Sequence, residues 1–311
     1  MNNRHATQTS LQQSAQEIQL DKRALVSQII KFSTVDGPGS RLVLFLQGCN
    51  YQCKSCHNPH TIELCDSCGD CVSHCPAQAL TMIIEQDKKQ IIHWNRELCS
   101  HCDTCLEVCP KQSSPKTSDY TVSQILDLIR DQLHFITGIT VSGGEATLQL
   151  SFITALFKAI KYDETLKHLS CMLDSNGSLS ATAWEKLLPY VDGVMLDLKA
   201  WQQETHQYIT GRGNHRVFQS IQLIAKYNKL YEVRLLQIPG VTDFEAEIDS
   251  LSDYLKRLPR ETRIKLNAFQ HHGVKGESLT WSVCTKGNIE QFAQQLTNRG
   301  VQQLVLPSFY N

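Results

Sequence analysis

The sequence predicts an α/β fold: a parallel sheet covered by helices, with a small cysteine-rich domain inserted near its start. Three observations carry this. Apolar segments of strand length alternate with segments of helical period over most of the chain. Eight cysteines crowd into residues 61–117 in two copies of one motif. The alternation begun before that stretch resumes after it, which makes the stretch an insertion. At 311 residues the chain can bury a sizeable core without metals or disulfides, so any metal serves function.

Residues 1–23 are polar and rich in Gln, without apolar period, and read as a mobile tail. The first layer of the main domain spans 24–60. A strand over Ala24 to Phe32 leads into Asp36-Gly37-Pro38-Gly39, a turn set by Gly and Pro. The apolar run Leu42 to Leu46 follows as a second strand. After the insertion, residues 118–311 continue the alternation. Val122, Ile125, Leu128 and Ile129 share one helix face, and so do Phe152, Ile153, Leu156 and Ile160. Strands are expected at Gly138 to Ser142, Leu169 to Asp174, Gly193 to Asp197, Glu232 to Ile238, Ile264 to Asn267 and Leu304 to Leu306. In such sheets and barrels ligands sit at the carboxyl ends of the strands.

Cysteine usage points to the chemistry. Of thirteen cysteines, eleven fall between Cys49 and Cys109. Cys49, Cys53 and Cys56 follow the second strand with C-x3-C-x2-C spacing; three soft thiolates can hold three irons of a 4Fe-4S cube and leave the fourth open to a substrate. A zinc knot is the alternative reading of such short spacings. In the insertion, Cys65, Cys68, Cys71, Cys75-Pro76 and Cys99, Cys102, Cys105, Cys109-Pro110 both obey C-x2-C-x2-C-x3-C-P. That is the bacterial ferredoxin run, whose fourth Cys ligates the other cluster. The expected cubes are therefore Cys65, Cys68, Cys71 with Cys109, and Cys99, Cys102, Cys105 with Cys75. Cys171 and Cys284 stand apart and read as small buried hydrophobes.

Polar residues gather at strand ends. Gly143, Gly144 and Glu145 combine backbone that can approach a ligand with a carboxylate able to take an ammonium group. Asp174-Ser175-Asn176-Gly177 and Met195-Leu196-Asp197-Leu198-Lys199 end the next two strands. Arg234 is a charge in an apolar strand, where a guanidinium is paired with a structural carboxylate or with a ligand.

Composition removes other classes. Thirty basic and thirty-one acidic residues give a formal charge of −1, with no run that would grip nucleic acid or a membrane surface. No apolar stretch approaches the roughly 18 residues of a membrane span, and the first residues lack the pattern of a signal peptide. A cytoplasmic protein is expected, with no nucleic-acid and no membrane partner.

Together these motifs resemble the radical S-adenosylmethionine (SAM) superfamily, and within it the glycyl-radical-enzyme activating enzymes of the pyruvate formate-lyase activating enzyme-like family. The D-G-P-G turn, three-Cys loop, double ferredoxin run, S-G-G-E, D-S-N-G, M-L-D-L-K and I-P-G carry the resemblance over nearly all of residues 24–311. It implies a partial (β/α)6 barrel with a ferredoxin-like insertion bearing two 4Fe-4S clusters. It further implies SAM bound at the open iron, with its amino group at Gly143, Gly144 and Glu145. Asp174, Ser175, Met195 and Asp197 would hold a monovalent cation, Na+ or K+, beside the SAM carboxylate. Lys199 falls at a ligand-binding lysine and Arg234 at a SAM-contacting arginine, and either His271 or His272 is expected near the adenosine. Many family motifs carry an aromatic residue before the third cysteine, where this chain has Ser55, and a Thr at the position of Ser175.

The implied activity is abstraction of a hydrogen atom from a backbone glycine of a partner glycyl radical enzyme, with flavodoxin or ferredoxin as electron donor. A radical SAM enzyme acting on a small molecule needs the same site. A ferredoxin-like carrier without catalysis would have no use for the residues after Gly143.

Overall fold

The computed structural model of the chain describes residues 18–84 and 88–307. Most of the expected tail thus lies outside the described residues. Its last part is tied down: the Leu20 and Lys22 carbonyls accept from the backbone N–H groups of Ser123 and Val122, and Ile18 packs on the core.

Two antiparallel features open the fold. β1 (Arg23–Ser33) pairs antiparallel with β2 (Arg41–Leu46). Arg41, the first residue of β2, is fully buried and ties the D-G-P-G turn to the sheet. Its guanidinium donates to Thr140 Oγ1 at 2.6 Å, to the Pro38 carbonyl at 2.9 Å and to Ser170 Oγ at 2.9 Å. These partners are neutral, and burial pushes the Arg41 pKa down to about 10. The insertion contributes the hairpin of β3 (Leu80–Ile84) and β4 (Gln90–Trp94) and the short α1 (Thr104–Glu107). Among the described residues its buried apolar cluster is small, formed by Cys71, Leu80 and Cys105.

β5 (Ser118–Thr121) returns the chain to β1, and the parallel repeat then runs to the end. α2 (Val122–Asp131) is started by a capping box between Thr121 and Gln124 and buries Val122, Ile125, Leu126 and Ile129. In order follow β6 (Gly138–Gly143), α3 (Leu150–Tyr162), β7 (Ser170–Ser175), α4 (Ala181–Leu187) and β8 (Gly193–Leu198). Then come α5 (Gln203–Thr210), α6 (His215–Lys226), β9 (Leu230–Gln237), α7 (Ile248–Leu255), β10 (Arg263–Ala268), α8 (Lys286–Asn298) and β11 (Leu304–Val305).

The main sheet has nine strands in the order β11-β10-β9-β8-β7-β6-β2-β1-β5. From β2 to β11 every pairing is parallel. Six strands, β2 and β6 to β10, are each followed by helix, and the two ends of the sheet do not pair, which makes a partial barrel. Leu42, Leu44, Leu46, Ile139, Val141, Leu173 and Leu196 pack into the helix-facing core. By the two-residue period of strands, Ser142, Asp174, Asp197 and Arg234 fall on the opposite, concave face. Register then sets them side by side: Asp174 pairs with Met195 and Asp197 with Arg234.

Candidate active site

At the carboxyl ends of these strands lies a cavity of about 480 Å3 lined by all three thiols of the Cys49, Cys53, Cys56 loop. Gly143, Gly144, Asp174, Ser175, Asp197, Lys199 and Arg234 line the same space. Residues from five strand ends and one loop therefore meet where a ligand of small-molecule size would fit.

The loop is built onto the sheet by backbone. The Gly48 and Cys49 N–H groups donate to the Thr61 and Ile62 carbonyls at 2.8 and 2.9 Å. Gln47 donates from its side-chain amide to the His60 and Glu63 carbonyls. The glycines expected to admit a ligand instead admit neighbouring backbone. A Cβ on Gly144 would lie 2.3 Å from the Gly48 carbonyl oxygen, and one on Gly143 would lie 2.1 Å from that of Leu46.

Glu145 also differs from the expectation that it reaches the cavity. It is buried, accepting from Ser175 Oγ at 2.8 Å, from the Asn176 N–H at 2.6 Å and from the Thr147 N–H at 3.1 Å. Burial pushes its pKa up, against these donors. Its carboxylate staples the end of β6 to the end of β7 and so places Ser175 and Asn176, both of which line the cavity.

The charged groups pair among themselves. Arg234 donates to Asp174 at 2.9 Å and to Glu232 at 2.7 Å, and its second terminal nitrogen lies 3.1 Å from Met195 Sδ. Lys199 donates to Asp197 at 2.9 Å. Burial acts to raise the pKa of Asp197, but Lys199 and Arg234 outweigh it and hold the carboxyl below its usual value. Asp174 goes the other way, because for it burial dominates. Of the residues expected to hold a monovalent cation, Asp174 and Met195 have Arg234 as a neighbour, Asp197 has Lys199, and Ser175 donates to Glu145.

Neither His271 nor His272 lines the cavity. His271 bonds through Nε2 to the Trp281 carbonyl at 2.8 Å, and His272 is exposed. The chain turns away at Gly273, whose φ of +74° and approach to the His57 carbonyl, 2.1 Å from a built Cβ, leave no room for a side chain. The histidine that lines the cavity is His57, with Asn58 beside it. Its signal was its place directly after Cys56. Tyr51, 3% exposed, supplies an aromatic wall where Ser55 does not.

Cys49, Cys53 and Cys56, gathered on one cavity, are a soft donor set of the kind that suits an iron-sulfur cluster. Backbone N–H groups already aim at sulfur: Tyr51 at Cys49 and Ser67 at Cys65, both at 3.4 Å, and Ala79 at Cys75 at 3.2 Å. Burial pushes the Cys49 thiol up to about 11 and that of Cys53 up to about 12, with Lys199 opposing the rise at Cys53. A metal that binds there must displace those protons. Among the described residues no three Cys, His, Asp or Glu side chains converge on one metal ion. In the insertion, Cys75, Cys99, Cys102 and Cys105 line one small cavity. Cys65 has Cys109 and Cys68 as electrostatic neighbours.

A family described as a 4Fe-4S single cluster domain matches residues 35–218, more than half of the chain. The chain belongs to this 4Fe-4S single cluster family. The pyruvate formate-lyase-activating enzyme of Streptococcus mutans is 26% identical over 257 residues, covering 80% of this chain and 78% of that protein. The choline trimethylamine-lyase activating enzyme of Oleidesulfovibrio alaskensis is 28% identical over 290 residues, covering 86% and 91%. A radical SAM methyltransferase from Sphaerobacter thermophilus shares the fold with a TM-score of 0.54 at 13% identity, covering 97% of this chain and 81% of that one. The resemblance to glycyl-radical-enzyme activating enzymes is thereby borne out. The curated relatives that this chain resembles are glycyl-radical-enzyme activating enzymes. It has no helix among the described residues long and apolar enough to cross a membrane.

Proposed function

We propose that the chain activates a glycyl radical enzyme by removing a hydrogen atom from a backbone glycine Cα of that partner. The observation that carries the proposal is the cavity that joins three thiols to the ends of five further strands. Cys49, Cys53 and Cys56 would hold a 4Fe-4S cluster, which would supply the one electron needed for reductive cleavage of SAM, with methionine and 5′-deoxyadenosine as the products once the glycine hydrogen has been taken. The chain's own residues orient and shield. Lys199 and Arg234 present positive charge to a ligand carboxylate, Asp197 and Asp174 hold those cations in place, and Tyr51 offers an apolar face.

A Na+ or K+ held by Asp174, Ser175, Met195 and Asp197 would share the Asp174 carboxylate with Arg234, which bonds one of its oxygens, and Arg234 and Lys199 add positive charge beside the ligand carboxylate. The two insertion sets, Cys65, Cys68, Cys71, Cys109 and Cys75, Cys99, Cys102, Cys105, are read as two further 4Fe-4S clusters that take electrons from flavodoxin or ferredoxin. Thirteen cysteines, none in a disulfide, suit the reducing cytoplasm, where this reading places the protein.

Asp197→Ala tests the ligand side of the site. It releases Lys199 from its partner, so SAM should bind about tenfold more weakly while total iron stays at the parent value. Equal SAM affinity in the two proteins, measured by equilibrium dialysis under anaerobic conditions, would remove Asp197 and Lys199 from the ligand site. The reaction itself is tested by anaerobic mixing with glycyl radical enzymes and electron paramagnetic resonance. A glycyl radical doublet is expected with a cognate partner, and conversion of a small molecule with no protein radical would replace this function.

A further inference from the structure

Beside the active-site cavity lies a second one of about 490 Å3, between β1 and the insertion. The two share Asn58, Thr61 and Gly143 in their walls, so they adjoin at the mouth of the cluster loop. We propose that this second cavity is the entry cleft for the substrate polypeptide, taken as an extended segment that carries carboxylates and runs along the free edge of β1. The proposal rests on the activase reading and names how that substrate is recognised.

Four observations lead there. A cavity of about 480 Å3 is the size of a small-molecule pocket, so a ligand as large as SAM fills much of it and a polypeptide must arrive through an adjoining opening. One wall of the cleft is Ser27, Gln28 and Ile29. β5 covers β1 only from Arg23 to Val26, and beyond that no strand among the described residues pairs with the outer edge of β1. Such an edge offers main-chain donors and acceptors to an incoming strand without demanding a side-chain sequence.

The opposite wall is cationic. Arg96 and Lys116 line it, and the one carboxylate in the lining, Asp103, is already ion-paired with Lys116. Arg96 rests over the Trp94 ring at 5.1 Å and has no carboxylate partner among the described residues. A wall whose Arg96 has no carboxylate partner among the described residues favours an acidic segment. In this arrangement the insertion has a second use besides carrying thiols: it closes the cleft over the substrate.

The test uses anaerobic holoenzyme, as parent, Arg96→Glu and Gln28→Trp. Both substituted residues are exposed and lie outside the active-site cavity. The probes are two fluorescent synthetic peptides with a central glycine, one flanked by aspartates and one by lysines, followed by anisotropy. The parent should prefer the aspartate peptide by about tenfold, Arg96→Glu should lose or reverse that preference, and Gln28→Trp should weaken both. SAM cleavage without peptide should be the same in all three.

Equal binding of the two peptides by the parent, or binding untouched by both substitutions, would overturn the cleft. The two readings fail separately. If the parent makes no protein radical yet the peptide results hold, the activase reading falls and the cleft stands. If the parent makes the radical and both variants do so with unchanged KM for the partner, the cleft falls and the activase stands.

Discussion

Cys53→Ala should abolish SAM cleavage while leaving about eight of about twelve irons per chain in place. The expectation follows from how the thiols are grouped. Cys53 lines the active-site cavity with Cys49 and Cys56, whereas the eight insertion cysteines lie in a separate segment with its own hairpin. Losing one of three thiolates leaves two, too few to hold a cube that already has an open iron. The insertion has few buried apolar residues besides its cysteines among the described residues, so the two clusters proposed there and its fold should stand or fall together, apart from the barrel. Iron and sulfide analysis beside a 5′-deoxyadenosine assay checks this. Zinc in place of iron, or cleavage that survives in Cys53→Ala, would contradict it.

The second large effect is a split between electron sources. Cys68 and Cys102 are the exposed members of the two insertion sets, the side from which an outside donor would reach the proposed clusters. In Cys68→Ala and in Cys102→Ala, turnover driven by flavodoxin or ferredoxin should fall at least about tenfold. Single-turnover cleavage after chemical reduction should persist, because the Cys49, Cys53, Cys56 loop is untouched. Equal turnover of variant and parent with the protein donor would reject a relay. The cleft beside β1 adds a contrast, since Arg96→Glu should change partner binding without changing either electron route.

Much of this site is legible in the sequence because a parallel sheet brings the residues after each strand to one edge. Cys49 after β2, Gly143 at the end of β6, Asp174 in β7, Asp197 in β8 and Arg234 in β9 could each be placed by counting along an apolar run. Which of them touch could not be read that way. Arg234 reaches Asp174 across sixty positions of sequence, a pairing set by the strand order and register of β7, β8 and β9. Glu145 looked available because a carboxylate beside two glycines is short and polar. Its burial depends on donors from the next strand end, Ser175 and Asn176.

Gly144 illustrates the same limit. Its lack of a side chain was visible, but the reason for it, the Gly48 carbonyl of a distant loop, was not. His57 outranks His271 and His272 for a comparable reason: the turn at Gly273 packs against His57's own carbonyl and sends the later pair outward. Leu20 and Lys22, at the end of the expected tail, accept at their carbonyls from the start of α2, a contact that polar composition alone does not announce.

The central claim is that the hydrogen removed comes from a glycine of a partner protein. The most direct measurement labels that partner with deuterium at glycine Cα, mixes it anaerobically with reduced holoenzyme and SAM, and weighs the 5′-deoxyadenosine. The account predicts one deuterium in the product, matched in amount by the glycyl radical seen in electron paramagnetic resonance. Unlabelled 5′-deoxyadenosine formed without any protein radical, from a partner that binds the enzyme, would contradict it.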